Sequence, residues 1–188
     1  MNEIFKEVFL AAWFFLPAGI ANMTPIFAAK IPLIQKLDFP MDFFKTFRGK
    51  RVFGEHKTWR GLITGIIFGT LTLYLQVVAV EHSAWLAGVA SAIGYESLPI
   101  LVLGPLFGLG ALLGDAIESF FKRQIGRAPG EGWFPFDQTD YIIGGAIATM
   151  PFVQLTMTQY GVLIVLWLII HVVSSAIGYL LGLKARPI

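Results

Sequence analysis

The chain contains about five apolar runs, most of them long enough to cross a lipid bilayer. A transmembrane helix needs about 20 mostly apolar residues, because the hydrocarbon core is about 30 Å thick. The chain has 188 residues, of which 56% are hydrophobic and only 14% are charged, whereas a soluble domain is about 25% charged. A chain this short cannot bury so much apolar surface away from water. We therefore expect an all-α integral membrane protein with a single domain.

The apolar runs define the approximate limits of the spans. The first run lacks the basic segment of a signal peptide and is longer than its apolar region, so we interpret it as a true span. A further apolar stretch at 85–92 precedes the third span and is a candidate extension of it. The fourth run is short and contains Pro151. The predicted spans are 8–29, 62–80, 98–114, 142–156 and 162–183.

Lysine and arginine are concentrated on one predicted side of the membrane. The opposite side carries only Lys6. Because cytoplasmic loops are enriched in these residues, we expect cytoplasmic loops at 30–61 and 115–141, an external N-terminus and a cytoplasmic C-terminus in the cell membrane. The cations on the predicted cytoplasmic side are Lys30, Lys36, Lys45, Arg48, Lys50, Arg51, Lys57, Arg60, Lys122, Arg123, Arg127, Lys184 and Arg186.

Composition excludes several classes of function. The chain has no cysteine, which rules out disulfides, thiolate catalysis and iron–sulfur clusters. Its net charge of +2 gives no indication of a nucleic-acid partner. Its three histidines (His56, His82 and His171) are scattered and form no metal-spaced pair. The predicted spans lack acids and bases, which argues against a transporter. Nothing in the sequence indicates the oligomeric state.

The segment Gly114–Gly145 holds most of the polar chemistry. It contains five acids, three bases, six glycines and two prolines between two apolar spans. On a helix, Asp115, Ser119 and Lys122 form one stripe, because their spacing is i, i+4, i+7. Asp137 and Asp140 are spaced i, i+3 and also share a helix face. The segment therefore presents carboxylates, a hydroxyl and an ammonium group at the mouth of two spans.

This composition favours a metal–phosphate site. Mg²⁺ prefers carboxylate and phosphate oxygens, and Asp115, Asp137 and Asp140 supply the carboxylates. Lys122, Arg123 and Arg127 can neutralise phosphate oxygens. The alternative interpretation is structural: acids stabilise helix N-termini, and the cations anchor the protein at the cytoplasmic leaflet. The combination favours the metal–phosphate site, although each residue alone fits either interpretation.

At these residues the sequence resembles the CDP-archaeol synthase family, an archaeal relative of the CDP-diacylglycerol synthases. The resemblance lies in Asp115-x3-Ser119-x2-Lys122-Arg123, Gly126, Gly130 and Asp137-Gln138-x-Asp140. Two further elements fit the family and extend the resemblance over most of the chain. They are Asn22-x-x-Pro25 at the end of the first span and Gly54-x-x-Lys57-Thr58-Trp59-Arg60-Gly61 at the start of the second.

The resemblance implies an enzyme that uses CTP, Mg²⁺ and a membrane lipid phosphate, unsaturated archaetidic acid (2,3-bis-O-geranylgeranyl-sn-glycerol 1-phosphate). The products would be CDP-archaeol and pyrophosphate. It implies catalytic roles for Asp115, Lys122 and Asp140, and metal binding by Asp115, Asp137 and Asp140. The nucleotide-binding residues that it implies are Asn22, Lys57, Thr58, Arg60, Ser119, Lys122, Arg123 and Arg127.

Three alternatives remain beside this interpretation. One is CDP-diacylglycerol synthase-like activity on acyl phosphatidic acid, because an apolar groove accepts acyl and isoprenoid chains alike. A second is a lipid-binding or transport protein without catalysis, which would not require the acids. The third, a CDP-alcohol phosphotransferase, is disfavoured because the D-G-x-x-A-R pattern of that family is not found.

Overall fold

A computed structural model describes residues 2–128 and 130–182. The described residues form six α-helices, one two-stranded hairpin and two short 3-10 helices, Pro32–Leu37 and Tyr95–Ser97. The helices are α1 (Glu3–Ala28), α2 (Trp59–Glu81), α3 (Ala84–Ala90), α4 (Ile100–Gln124), α5 (Phe136–Thr149) and α6 (Met157–Leu180). The hairpin pairs β1 (Thr46–Phe47) with β2 (Lys50–Arg51) in antiparallel register.

The expected all-α membrane architecture is confirmed. Helices α1, α2, α4 and α6 contain 23 to 26 residues and are apolar enough to cross a membrane. Helix α5 has 14 residues, and a helix of that length is about 21 Å long, shorter than the hydrocarbon core. The apolar stretch at 85–92 forms most of the separate helix α3 and does not extend α4. Lys184 and Arg186, in the basic tail, lie outside the described residues.

Side-chain caps define where several helices begin. The Thr58 hydroxyl accepts a hydrogen bond from the backbone N–H of Gly61 and so starts α2. Thr156 and Gln159 form a reciprocal capping box at the start of α6. These contacts satisfy backbone donors that have no partner inside the helix. The cap at Thr58 fixes the point where the loop 30–58 enters the membrane bundle.

An aromatic core joins the helices. The rings of Phe14 and Phe15 in α1 contact Phe107 of α4 edge to face, with centroids 5.2 and 6.2 Å apart. Trp167 of α6 contacts Phe15 and donates a hydrogen bond of 3.1 Å from Nε1 to the backbone oxygen of Ala11. Edge-to-face packing stabilises such pairs beyond the area they bury. The core therefore fixes α6 and α4 against α1.

Glycines allow α4 and α5 to approach closely. A Cβ atom at Gly114 would collide with the backbone oxygen of Asp140, and one at Gly144 would collide with the backbone oxygen of Gly110. Small residues let helix backbones pack together in a membrane, where hydrophobic driving force between helices is weak. The contact at Gly114 places the next residue, Asp115, beside Asp140.

Candidate active site

Three carboxylates meet where α4 packs on α5. Asp115 and Glu118 lie one turn apart on α4, and Asp140 lies on α5. One ligand oxygen from each residue lies within 4.8 Å of the other two. Such a cluster is unfavourable without a compensating cation, because like charges at this distance disfavour ionisation. The packing of two glycine-rich helices therefore assembles a strongly electronegative position.

The three side chains fit a hard divalent cation. Glu118 is only 7% exposed, and its Oε1 atom has no hydrogen-bond partner among the residues that the structure describes. A buried carboxylate oxygen without a hydrogen bond is costly in free energy, even though this atom lies 3.7 Å from the Lys122 Nζ atom. All three donors are carboxylate oxygens, the ligands preferred by Mg²⁺, Ca²⁺ and Mn²⁺. A cation held by the cluster would satisfy the Glu118 oxygen and offset the repulsion.

Two lysines contact acids of the site. The Lys57 Nζ atom lies 2.7 and 2.6 Å from the two carboxylate oxygens of Asp115. Burial lowers the pKa of Lys57, but the charge and hydrogen bonds of Asp115 outweigh it and leave this pKa above its usual value. The Nζ atom of Lys122 lies 2.8 Å from Asp137 and 3.7 Å from Glu118. Both lysine side chains are therefore held at ion-pair distance from the acids.

Asp137 has a different environment from the other predicted ligands. Its Oδ1 atom accepts a hydrogen bond from Lys122, and its Oδ2 atom accepts one of 2.8 Å from the backbone N–H of Trp133. The acid that completes the cluster with Asp115 and Asp140 is Glu118. The sequence contains a signal for this, because Glu118 follows Asp115 by three residues on an amphipathic stretch.

An open cavity of about 270 Å³ adjoins the acids. Its walls come from the loop before α2, the C-terminal part of α4, and the start of α5. Ser119 and Arg123 line it, and Arg123 Nε has no hydrogen-bond partner among the described residues. The predicted site residues that line this cavity are Lys57, Asp115, Ser119, Lys122, Arg123 and Asp137.

A second cavity of about 220 Å³ shares a wall with the first. Both cavities are lined by His56, Lys57 and Asp115. Asn22 and Thr58, two other predicted site residues, line the second cavity. Most of its remaining wall is apolar and comes from Pro25, Ile26, Met41, Leu62 and Leu112. Asp115 therefore lies on the wall shared by a cavity lined mainly by charged and polar residues and a cavity whose lining mixes apolar and polar residues, whereas Asp140 lines neither cavity.

Two predicted nucleotide-binding residues lie away from both cavities. The Arg60 guanidinium forms an ion pair of 3.1 Å with Asp38 at the start of α2. Arg127 donates to Glu131 at 3.2 Å and to the backbone oxygen of Gly132 at 2.6 Å. These contacts order the loops around the site. In this structure neither arginine lines the cavity walls.

Asp42 organises the loop that carries Lys57, and sequence reasoning missed it. Its buried carboxylate accepts two hydrogen bonds from Arg51, at 3.1 and 2.7 Å, and others from the backbone N–H groups of Phe53 and Gly54. Burial raises the pKa of Asp42, but these donors outweigh it and lower the pKa to about 2. These hydrogen bonds close the loop on itself up to Gly54, three residues before Lys57.

Comparison with known proteins identifies the group to which these features belong. A family model described as CarS-like CDP-archaeol synthase matches residues 4–188. A CDP-archaeol synthase of Pyrococcus furiosus is 32% identical over 179 residues, which cover 94% of this chain and 96% of that protein. One from Pyrococcus abyssi is 32% identical over 190 residues, covering 100% and 99%.

A third relative and a solved structure agree with this family. A CDP-archaeol synthase of Methanoculleus marisnigri is 34% identical over 157 residues, which cover 79% of this chain and 89% of that protein. A solved structure described as an intramembrane enzyme for archaeal membrane lipids biosynthesis superposes with a TM-score of 0.64. It is 26% identical in sequence, and the match covers 87% of this chain and 91% of that one.

Proposed function

The chain belongs to the CDP-archaeol synthase family, and from that premise we propose that it transfers the cytidylyl group of CTP to a membrane lipid phosphate. The lipid substrate is unsaturated archaetidic acid, 2,3-bis-O-geranylgeranyl-sn-glycerol 1-phosphate. The products are CDP-archaeol and pyrophosphate. The same membership identifies the protein as a nucleotidyltransferase of archaeal phospholipid biosynthesis.

One structural observation supports the proposed chemistry independently of the family membership. The carboxylates of Asp115, Glu118 and Asp140 converge within 4.8 Å, and Lys57 and Lys122 flank them at ion-pair distance. Phosphoryl-type transfer needs little covalent chemistry from a protein, because positioning and charge neutralisation dominate catalysis. An acid cluster surrounded by fixed ammonium groups, beside an open polar cavity, supplies both.

The reaction requires no strong general base. The nucleophile is a phosphate monoester oxygen, already ionised at neutral pH because its second pKa is about 6. This oxygen attacks the α-phosphorus of CTP, and the bond from that phosphorus to the bridging oxygen of pyrophosphate breaks. We assign Lys57, Lys122 and Arg123 to the phosphate oxygens, where they offset the charge of two approaching anions. Ser119 offers a hydroxyl donor on the same wall.

We assign Mg²⁺ to the acid cluster, held by Asp115, Glu118 and Asp140. Bound there, the ion would supply positive charge that offsets the charge developing on the phosphate oxygens. Asp137, our fourth acid, orients Lys122 through the 2.8 Å contact. In this assignment Asp115 and Asp140 are metal ligands and catalytic groups. Asp137 is not a metal ligand and acts through Lys122.

The second cavity suits the lipid end of the reaction. Its apolar wall starts beside Asp115 and includes α1 and α2 residues such as Ile26 and Leu62. A lipid phosphate reaching the acid cluster from this side would keep its chains in the membrane. CTP would then approach from the polar cavity, so that the two anions meet at the shared wall formed by Lys57 and Asp115. Both events occur on the cytoplasmic side in our topology.

Purified protein tests the proposal. With CTP, Mg²⁺ and the isoprenoid lipid phosphate, we expect pyrophosphate release that depends on all three. Asp140→Asn keeps the side-chain shape and removes the charge, so we expect a loss of about a hundredfold or more in rate. An acyl phosphatidic acid arm distinguishes the isoprenoid from the acyl substrate. Absence of CTP-dependent pyrophosphate release with either lipid, from monodisperse protein, would refute the assignment.

A further inference from the structure

Aromatic side chains project from the loop between α1 and α2. Four of them form an aromatic ridge, Phe39, Phe43, Phe44 and Phe47, whose side chains are 41 to 55% exposed. Their rings contact one another in part: Phe39 lies 5.5 Å from Phe43 and 5.4 Å from Phe44 between centroids. Exposed aromatic clusters on a loop of a protein mark an interaction surface.

The backbone holds two of these aromatics outward at an energetic cost. Phe43 and Phe44 both have positive φ angles, 51° and 61°, a region that bulky residues rarely adopt. Asp42 fixes the conformation, because its Oδ1 atom accepts a hydrogen bond from the Phe44 N–H at 3.1 Å. The buried carboxylate therefore keeps two adjacent phenyl rings exposed rather than folded into the protein.

The tip of the hairpin is also strained and cationic. Arg48 and Gly49 form its two-residue turn with φ angles of 52° and 75°, a geometry for which asparagine and glycine are the favoured pair. An arginine at the first position is conformationally costly, and its Cζ atom lies 5.3 Å from the centroid of the Phe47 ring. The nine residues 43–51 contain four cations and no acid. The aromatic ridge is thus interleaved with positive charge.

The ridge continues the outer surface of the membrane-spanning helices at both of its ends. Phe43 contacts Trp59, the first residue of α2, and Ile63 and Ile67 follow at i+4 and i+8 as exposed apolar residues on the same helix face. At the other end Phe47 contacts Phe120 of α4.

Exposed apolar residues also continue from the ridge along α4. Phe120 contacts Phe121, with ring centroids 5.5 Å apart. Phe121 is 51% exposed, and Ile117, four residues earlier on α4, is 54% exposed. Lys50 fixes the hairpin to this helix end through a hydrogen bond of 2.7 Å from Nζ to the backbone oxygen of Gln124. An apolar strip thus runs from one spanning helix, across the hairpin, to another.

From this juxtaposition we propose that the hairpin lies in the headgroup region of the bilayer, with the aromatic ridge in the interface and Lys45 and Arg48 bound to anionic lipid headgroups. Aromatic side chains favour this depth, and basic residues beside it attract acidic lipids. The occupant is the surrounding anionic lipid, not the substrate of the reaction. Docking would hold the loop bearing Lys57 against the membrane, independently of catalysis.

Fluorescence quenching tests the depth of the hairpin. The chain has no cysteine, so Phe44→Cys labels one position with bimane in the full-length protein. The protein is reconstituted in phosphatidylcholine vesicles containing nitroxide-labelled lipid. We expect quenching about threefold stronger than at the matched control Glu55→Cys, which lies in the same loop on the cavity wall. Equal quenching at the two positions would refute the proposal; Phe47→Cys repeats the test if Phe44→Cys fails to fold.

A second comparison tests the headgroup specificity. Nitroxide carried by phosphatidylglycerol should quench the label at position 44 more than nitroxide carried by phosphatidylcholine. The variant Lys45→Gln/Arg48→Gln should abolish this preference, whereas Lys45→Arg/Arg48→Lys, which retains both charges, should keep it. High salt should weaken it, because exposed charges are screened. Equal quenching by the two lipids in the parent protein would overturn the assignment of an anionic partner.

Discussion

Glu118 takes the place in the acid cluster that the sequence analysis predicted for Asp137. Our metal assignment predicts that Glu118→Gln and Asp140→Asn weaken Mn²⁺ binding by at least about tenfold, because each removes a charged oxygen donor from the cluster. Asp137→Asn should weaken it much less, since that carboxylate contacts Lys122 instead. Electron paramagnetic resonance of free Mn²⁺ measures all three. A larger loss at Asp137 than at Glu118 would contradict the assignment.

Lys122 and Arg123 are expected to bind the triphosphate. Their replacement by alanine should weaken CTP binding by about 1.5–3 kcal/mol each, the range for a hydrogen bond to a charged group. Lys36→Ala is the control, because Lys36 is an exposed cation on a different loop. Isothermal titration gives the affinities. Equal small changes at all three positions would favour the anchor interpretation of these cations.

The sequence pointed to most of the candidate site residues but not to their pairings. Asp115, Ser119 and Lys122 fall on one helix face, so periodicity alone groups them. The partner of Asp115 across the cluster is decided by the contact of Gly114 with the Asp140 backbone, a long-range packing event. Most partners of Asp42 could not be predicted locally, because its hydrogen-bond donors at residues 51, 53 and 54 become neighbours only after the hairpin forms.

At the scale of elements, the α4–α5 contact should control the site. Gly114→Ala introduces a Cβ atom that collides with the Asp140 backbone oxygen, so we expect a lower melting temperature and weaker Mn²⁺ binding. Gly161→Ala is the matched control, because a Cβ at Gly161 of α6 meets nothing within 4 Å and alanine favours helices. Thermal denaturation in detergent compares them. If the Gly114→Ala protein is as stable as the control and binds Mn²⁺ equally well, the close-packing argument is contradicted.

The loop before α2 should open at low pH. The folded pKa of Asp42 is about 2, below the value of about 3.9 for an unfolded chain. Its contribution to stability is therefore complete above about pH 4 and is lost as the pH falls toward 2. We expect hydrogen exchange at the Phe53 and Gly54 amides, corrected for intrinsic rates, to accelerate over this window.

Asp42→Asn provides the control for this pH dependence. The amide has no titrating carboxylate, so protection of residues 53 and 54 should be reduced at every pH and lose its acid-dependent part. Arg51, which donates two hydrogen bonds to Asp42 in the folded protein, would lose its charged partner. Unchanged exchange between pH 4 and 2 in the parent protein would show that Asp42 does not hold the loop.

The ends of a helix could be predicted from the sequence where neighbouring residues determine them. Thr58 caps α2 close to the predicted start of that span, and the long apolar runs predict α1, α2, α4 and α6. Helix α5 was harder to place, because it starts at Phe136 in the polar segment and ends at Thr149, before Pro151. It packs closely against α4 through Gly144, a long-range contact for which hydropathy carries no signal.

At the scale of the whole molecule, the charge distribution predicts one orientation. A reporter fused after Ile188 should be cytoplasmic, and one inserted at Ser83, the cap of α3, should be external. The reason is the excess of lysine and arginine in the loops at 30–61 and 115–141. Protease protection of the reporters in right-side-out vesicles measures both. A cytoplasmic Ser83 reporter would contradict the five-segment topology and the cytoplasmic site.

The central claim is that this molecule joins the α-phosphorus of CTP to a lipid phosphate, and isotopic labelling tests it most directly. Purified protein receives CTP labelled at the α- or the γ-phosphate, with Mg²⁺ and the isoprenoid lipid phosphate, and the label is followed into the organic and aqueous phases. We predict that α-label moves into the lipid while γ-label stays in aqueous pyrophosphate. Transfer of γ-label to the lipid, or no α-label in the lipid with well-folded protein, would contradict the account.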